Sequence, residues 1–195
     1  MATLKTTRRK FICSASAIAL GSACYGMNAR LNRSNFQTKE ELFARLDELV
    51  DKYFTVYGTC SQTTFIALNE AFNLQSENIV KALAPFPGVA FRGETCGAVS
   101  GCLCGIALVF EGDEPGNQLS SKPCVTFCSK IESEYGSTRC REIIAHKTGV
   151  TYTIQKPEDY SLVYKDGGLN QCPAVIKGAL HIAAEIILEK PGDLV

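Results

Sequence analysis

Residues 92–105 read RGETCGAVSGCLCG. This stretch holds three cysteines, Cys96, Cys102 and Cys104, and four glycines, Gly93, Gly97, Gly101 and Gly105, with Gly88 on its approach. An apolar run occupies residues 106–110. The glycines and polar residues before Cys96 predict a loop. The small and apolar residues beyond them predict a helix from Thr95 to about Phe110, with Cys96 in its first turn. After Cys96 that helix is apolar on nearly every side, which places it at the centre of a bundle.

The chain on either side supplies the rest of the bundle. Thr38-Lys39-Glu40-Glu41 is a capping box that starts a helix. Leu42, Leu46, Leu49, Tyr53 and Tyr57 then recur at helical spacing, and Gly58 ends the run. Thr59-Cys60-Ser61-Gln62 opens a second helix. Ser76 is placed to cap a short helix over 79–84, which Pro85 and Pro87 stop. Residues 111–122 read as a polar loop. Pro123 suits the first position of a helix to about Tyr135, with Cys124, Cys128 and Ile131 on one face. Ser137 is placed to cap a short helix over 138–147. Residues 150–155 alternate like a strand, but Pro157-Glu158-Asp159 is a good helix start, so a loop and a helical turn are expected there. Asn170 is placed to cap a last helix over 172–189 with Pro173 in its first turn. The fold class expected is all-α, a compact bundle of six or seven helices around the cysteine-bearing one.

Composition narrows the function. The chain has 195 residues, with 20 basic and 20 acidic side chains and a formal net charge of zero. No basic excess points to nucleic acid. Ten cysteines are more than packing needs, so some are expected to bind metal or one another. There is no Ser-His-Asp order, no dinucleotide fingerprint, and no Lys-Ser/Thr after Gly101 to make a phosphate loop.

The N-terminus bears on compartment. Thr7-Arg8-Arg9-Lys10-Phe11-Ile12 resembles a twin-arginine export signal, and residues 13–23 form a mild apolar stretch too short to span a bilayer. Residues 1–30 are therefore expected to be a leader, and 31–195 a single cysteine-rich domain in the periplasm or cell envelope. Residues 21–24 only loosely resemble a lipoprotein box at Cys24. Removing Cys13 and Cys24 with the leader leaves eight cysteines. The mature form is expected to have no integral membrane span.

Four of the eight share a setting. Cys60, Cys96, Cys140 and Cys172 each fall within the first turn of an expected helix. Free amide N–H groups and the helix dipole favour an anion there, so a thiolate is stabilised. Four such residues in one domain point to a shared site. Four thiolates suit an iron–sulfur cluster, or zinc as its redox-silent alternative. Cys102, Cys104, Cys124 and Cys128 remain; a second cluster site, disulfides or plain core residues are all open for them. His146 at a helix end and His181, more than two turns from Cys172, read as structural. Arg92 and Glu94 flank Cys96 and either tune it or hold the loop.

The segments TCSQTTFIAL (59–68), RGETCGAVSG (92–101), YGSTRCREI (135–143) and CPAVIKGALHIAAEIILE (172–189) resemble, in order, the four signatures of the C-GCAxxG-C-C family of redox-active proteins. The resemblance runs from about Cys60 to Glu189. It implies that Cys60, Cys96, Cys140 and Cys172 are the family's four cysteines. Related domains occur in split-Soret cytochromes c, but this chain has no CxxCH motif, so no haem is expected. The resemblance implies a redox class rather than a reaction; together with the export pattern and the four thiolates, the expected reading is an exported electron-transfer protein or oxidoreductase subunit, with an iron–sulfur cluster and a redox partner protein, and a homodimer is left open. The alternative is a thiol–disulfide or disulfide-stapled protein without metal, or a zinc-binding accessory protein.

Overall fold

The structure is a computed structural model in which residues 38–110, 121–154 and 156–189 are described. The expected leader, with Cys13 and Cys24, and most of the expected polar loop at 111–120 lie outside the described residues. The elements in chain order are α1 Lys39–Tyr57, α2 Cys60–Phe72, α3 Glu77–Ala82, a single turn α4 Gly88–Phe91, α5 Gly97–Phe110, α6 Ser121–Tyr135, α7 Cys140–Thr148, α8 Tyr160–Lys165 and α9 Cys172–Leu188. Short 3-10 turns, Pro157–Asp159 and Gly168–Gln171, precede α8 and α9. Among the described residues there is no strand, only an isolated antiparallel bridge between Thr95 and Arg139. The chain is all-α.

The first helix forms as its sequence dictates. The Thr38 backbone is extended, and its Oγ1 accepts a hydrogen bond from the Glu41 amide at 3.1 Å. Gly58 takes the left-handed conformation that closes α1, with φ of 62°. Between them Leu42, Leu46, Leu49 and Val50 are buried on one face.

α5 sits at the centre, packed most extensively on α2 and then on α9 and α6. α1 lies across α2 and α9. Two glycines of α5 permit the close approach to α2. A Cβ on Gly97 would run into the Cys60 sulfur and stand 2.8 Å from the Ser61 amide nitrogen. A Cβ on Gly101 would stand 2.7 Å from the Ser61 carbonyl oxygen. The two helix backbones therefore touch where α2 begins.

Residues Gly168–Leu188 are long and apolar enough to cross a membrane by length and composition. Much of that apolar surface is used inside the bundle: Val175, Ile176, Ala179, Leu180, Ala183, Ala184, Ile186 and Ile187 are buried on α9.

Several helix starts differ from the sequence reading. α5 begins at Gly97 rather than Thr95, because Thr95 is held in the bridge to Arg139. α7 begins at Cys140 rather than Thr138, because the Thr138 carbonyl accepts the Cys96 amide at 2.9 Å. The Ser137 hydroxyl accepts the Arg139 amide in a local turn instead of capping a helix. Ser76 donates its hydroxyl back to the Leu74 carbonyl, and α3 runs Glu77–Ala82 without a side-chain cap. Gln171, not Asn170, occupies the cap position of α9, because a 3-10 turn leads into that helix. α6 begins two residues before Pro123.

Candidate redox site

The four cysteines read as a set are helix starts. Cys60, Cys140 and Cys172 are the first residues of α2, α7 and α9. Cys96 stands one residue earlier relative to its helix. Its carbonyl accepts the Ser100 amide at 3.0 Å, and the Ala98 and Val99 amides favour a negative charge on its sulfur. Cys96 is thus the N-cap of α5, with sulfur in the place usually taken by a Ser or Asp oxygen.

Two of the starts are tied together by main chain. The segments before Cys96 and before Cys140 run antiparallel. Besides the Cys96 amide on Thr138, the Cys140 amide donates to the Glu94 carbonyl at 2.7 Å and the Arg141 amide to the Gly93 carbonyl at 3.1 Å. The Glu94 carboxylate pairs with Arg141 at 3.1 Å and Arg139 at 3.8 Å. Glu94 therefore ties its loop to the start of α7. Gly93, with φ of 70°, would carry a Cβ only 2.8 Å from Cδ1 of Ile154.

All four cysteines line one cavity, together with Ala98, Ile143, Ile144, Gln171, Val175 and Ile176. Its empty volume is about 310 Å³, which includes space open to solvent; the enclosed part is about what one water needs. Cys60, Cys96 and Cys140 are buried, and Cys172 is partly exposed. Cys140 and Cys60 stand as the neighbours that favour a negative Cys96 sulfur. Among the described residues no three His, Cys, Asp or Glu side chains stand as a ready metal-binding group.

The electrostatics of the set are uneven, and this corrects the expectation that every helix start favours a thiolate. Cys96 alone is held well below the ordinary thiol range, by hydrogen bonds from Cys140 and then Cys60, helped by the Ala98 and Val99 amides, against the cost of burial. Cys60 and Cys140 are pushed up, first by their hydrogen bond to Cys96 and then by burial. Burial and the nearby Cys96 push Cys172 up to about 12. One buried pocket favours one negative sulfur, and its neighbours donate to it.

The other cysteines are not in this cavity. Cys102 is fully buried in the core. Cys104 packs at the edge of a small apolar cluster with Phe65, Ile66, Val80 and Leu83. Cys124 and Cys128 are partly buried on α6, and burial pushes Cys124 up to about 11. All eight described cysteines are free thiols. His181 bonds Asp47 at 2.9 Å and stacks on Phe43, a structural placement.

The sequence reading missed Tyr160. Its hydroxyl lies 3.4 Å from the Cys140 sulfur, in a buried setting. The sequence marks only that Tyr160 comes directly after the helix-start residues Pro157, Glu158 and Asp159; nothing in it pairs Tyr160 with a cysteine.

No curated protein and no solved structure matches the chain. A family model described as "Putative redox-active protein (C_GCAxxG_C_C)" matches residues 58–186, a span that begins two residues before Cys60 and contains all four cavity cysteines. With most of its length matched and its four cysteines gathered at one cavity, the chain belongs to this redox-active family.

Proposed function

We propose that the protein is an electron carrier that holds an iron–sulfur cluster on Cys60, Cys96, Cys140 and Cys172 and exchanges electrons with a partner protein outside the cytoplasm. One observation carries the reading: four cysteines from four separate helix starts line a single cavity. Their donors fit such a group in kind and number, since thiolates are the soft ligands that iron–sulfur clusters and zinc select. When bound, the cluster supplies a reversible electron-accepting couple. The protein's own part is to present the sulfurs and offset their charge. The Ala98 and Val99 amides already favour a negative Cys96 sulfur, and the first residues of α2, α7 and α9 border the same cavity. A metal held by these four sulfurs would take the place of the thiol protons. Zinc on the same ligands is the redox-silent form. The resemblance of residues 7–12 to a twin-arginine export signal supports a place in the periplasm or envelope.

The test compares variants after anaerobic reconstitution. Cys96→Ser should lose most bound iron, and Cys128→Ser should keep it. Equal loss from both would break the four-ligand assignment.

A second reading rests on Cys96 sharing one cavity with Cys60 and Cys140 and being held well below the ordinary thiol range. There the Cys96 thiolate attacks a partner's disulfide and expels one partner thiolate. A neighbouring thiol then attacks the mixed disulfide, gives up its proton, and releases the second. Two thiols of this chain become a disulfide as the partner's disulfide becomes two thiols. A colourless protein that takes up no iron but forms a Cys96-containing disulfide, mapped by mass, would select this reading.

A further inference from the structure

Beside Cys140 stands a buried hydroxyl that the four-cysteine pattern does not include. Tyr160 opens α8 and is 7% exposed. Its hydroxyl lies 3.4 Å from Cys140 Sγ. The ring is held from outside by Phe91, edge to face at a centroid distance of 5.5 Å and an angle of 70°. Phe91 belongs to the turn Gly88–Phe91, whose four residues all have positive φ, between 48° and 60°. Non-glycine residues adopt that conformation only when their surroundings impose it. The turn is pinned by the Ala90 amide on the Pro85 carbonyl at 2.7 Å and the Phe91 amide on the Pro87 carbonyl at 2.8 Å. It also lies close to the site: a Cβ on Gly88 would stand 3.5 Å from Cβ of Cys140.

We propose that Tyr160 is a positioning residue whose hydroxyl donates a hydrogen bond to the Cys140 sulfur and tunes the electron density of that thiolate in the loaded site. A phenol keeps its proton at neutral pH, while a metal-bound thiolate can only accept, so the direction of donation is fixed. A hydrogen bond to a ligand sulfur favours the more negative state, so it raises the reduction potential. Phe91 and its turn hold the ring in register.

The inference rests on the four-cysteine reading, and the experiment separates the two. The full-length chain is loaded with cobalt(II) alone, whose thiolate-to-metal charge-transfer band reports ligand electron density. Tyr160→Phe keeps the ring and removes the hydroxyl. Its band should move to longer wavelength at unchanged cobalt stoichiometry, and the cluster-loaded variant should have a more negative potential. A wild-type band that Tyr160→Phe leaves unmoved, with an unmoved potential, would overturn the role of Tyr160 alone. A wild type that takes up neither cobalt nor cluster would overturn the metal-site reading and this inference with it. If Tyr160→Phe unfolds, Phe91→Leu, which loosens the ring without touching the hydroxyl, should give a smaller shift in the same direction; no shift there would also overturn it.

Discussion

Cys96 shows how one residue joins fold to chemistry. It stands at the N-cap of α5, where the Ala98 and Val99 amides favour a negative sulfur, and it lines the cavity beside Cys140 and Cys60. Serine is also a good cap, so Cys96→Ser should change stability by less than about 1 kcal/mol in a thermal melt while removing cofactor binding. A large stability loss would mean that the variant reports folding rather than ligation. Cys102 should behave in the opposite way. It is fully buried away from the cavity, so Cys102→Ser places a hydroxyl in the core. It should cost about 1–3 kcal/mol in denaturant unfolding and leave iron content unchanged. That contrast separates a small core cysteine from a ligand.

Among the helices, the contact of α5 with α2 is the one on which the site depends, because it sets Cys96 beside Cys60. Gly97→Ala and Gly101→Ala each gain helix propensity of up to about 1 kcal/mol. Both push a methyl against fixed main-chain atoms of Ser61, and overpacking of that kind costs about 1–3 kcal/mol. A net loss of stability is expected from each, with Gly97→Ala also impairing metal uptake because its methyl meets the Cys60 sulfur. Stabilisation of either variant would contradict this packing. These elements also show what could be read from the sequence. The capping box at Thr38, the stop at Gly58, the apolar α5 and the four cysteine-bearing starts arise from local chemistry and were legible. The starts of α5 and α7 were misjudged because their preceding residues pair with each other across a separation of more than forty positions, and no local signal carries that. The spacing of Gly97, Gly101 and Gly105 was visible, but its meaning depends on which helix lies opposite. The shifts of Cys60, Cys140 and Cys172 were misread because a single-helix argument ignores the other sulfurs in the same pocket.

Taken whole, the molecule is a helical bundle that brings four helix starts, spread from Cys60 to Cys172, to one cavity. Binding there must displace thiol protons. Cys172 lies up at about 12 and stays a thiol at neutral pH until metal takes its proton, so apparent zinc affinity should rise as pH rises through neutrality. A competition titration with a zinc-binding dye at several pH values checks the sign, and affinity independent of pH would argue against thiol ligation. The most direct test of the central claim is the visible spectrum of the protein purified without oxygen, with iron and acid-labile sulfide counted on the same sample. The account predicts a brown protein with iron and sulfide in similar amounts. A colourless protein with neither, even after anaerobic reconstitution, would contradict it.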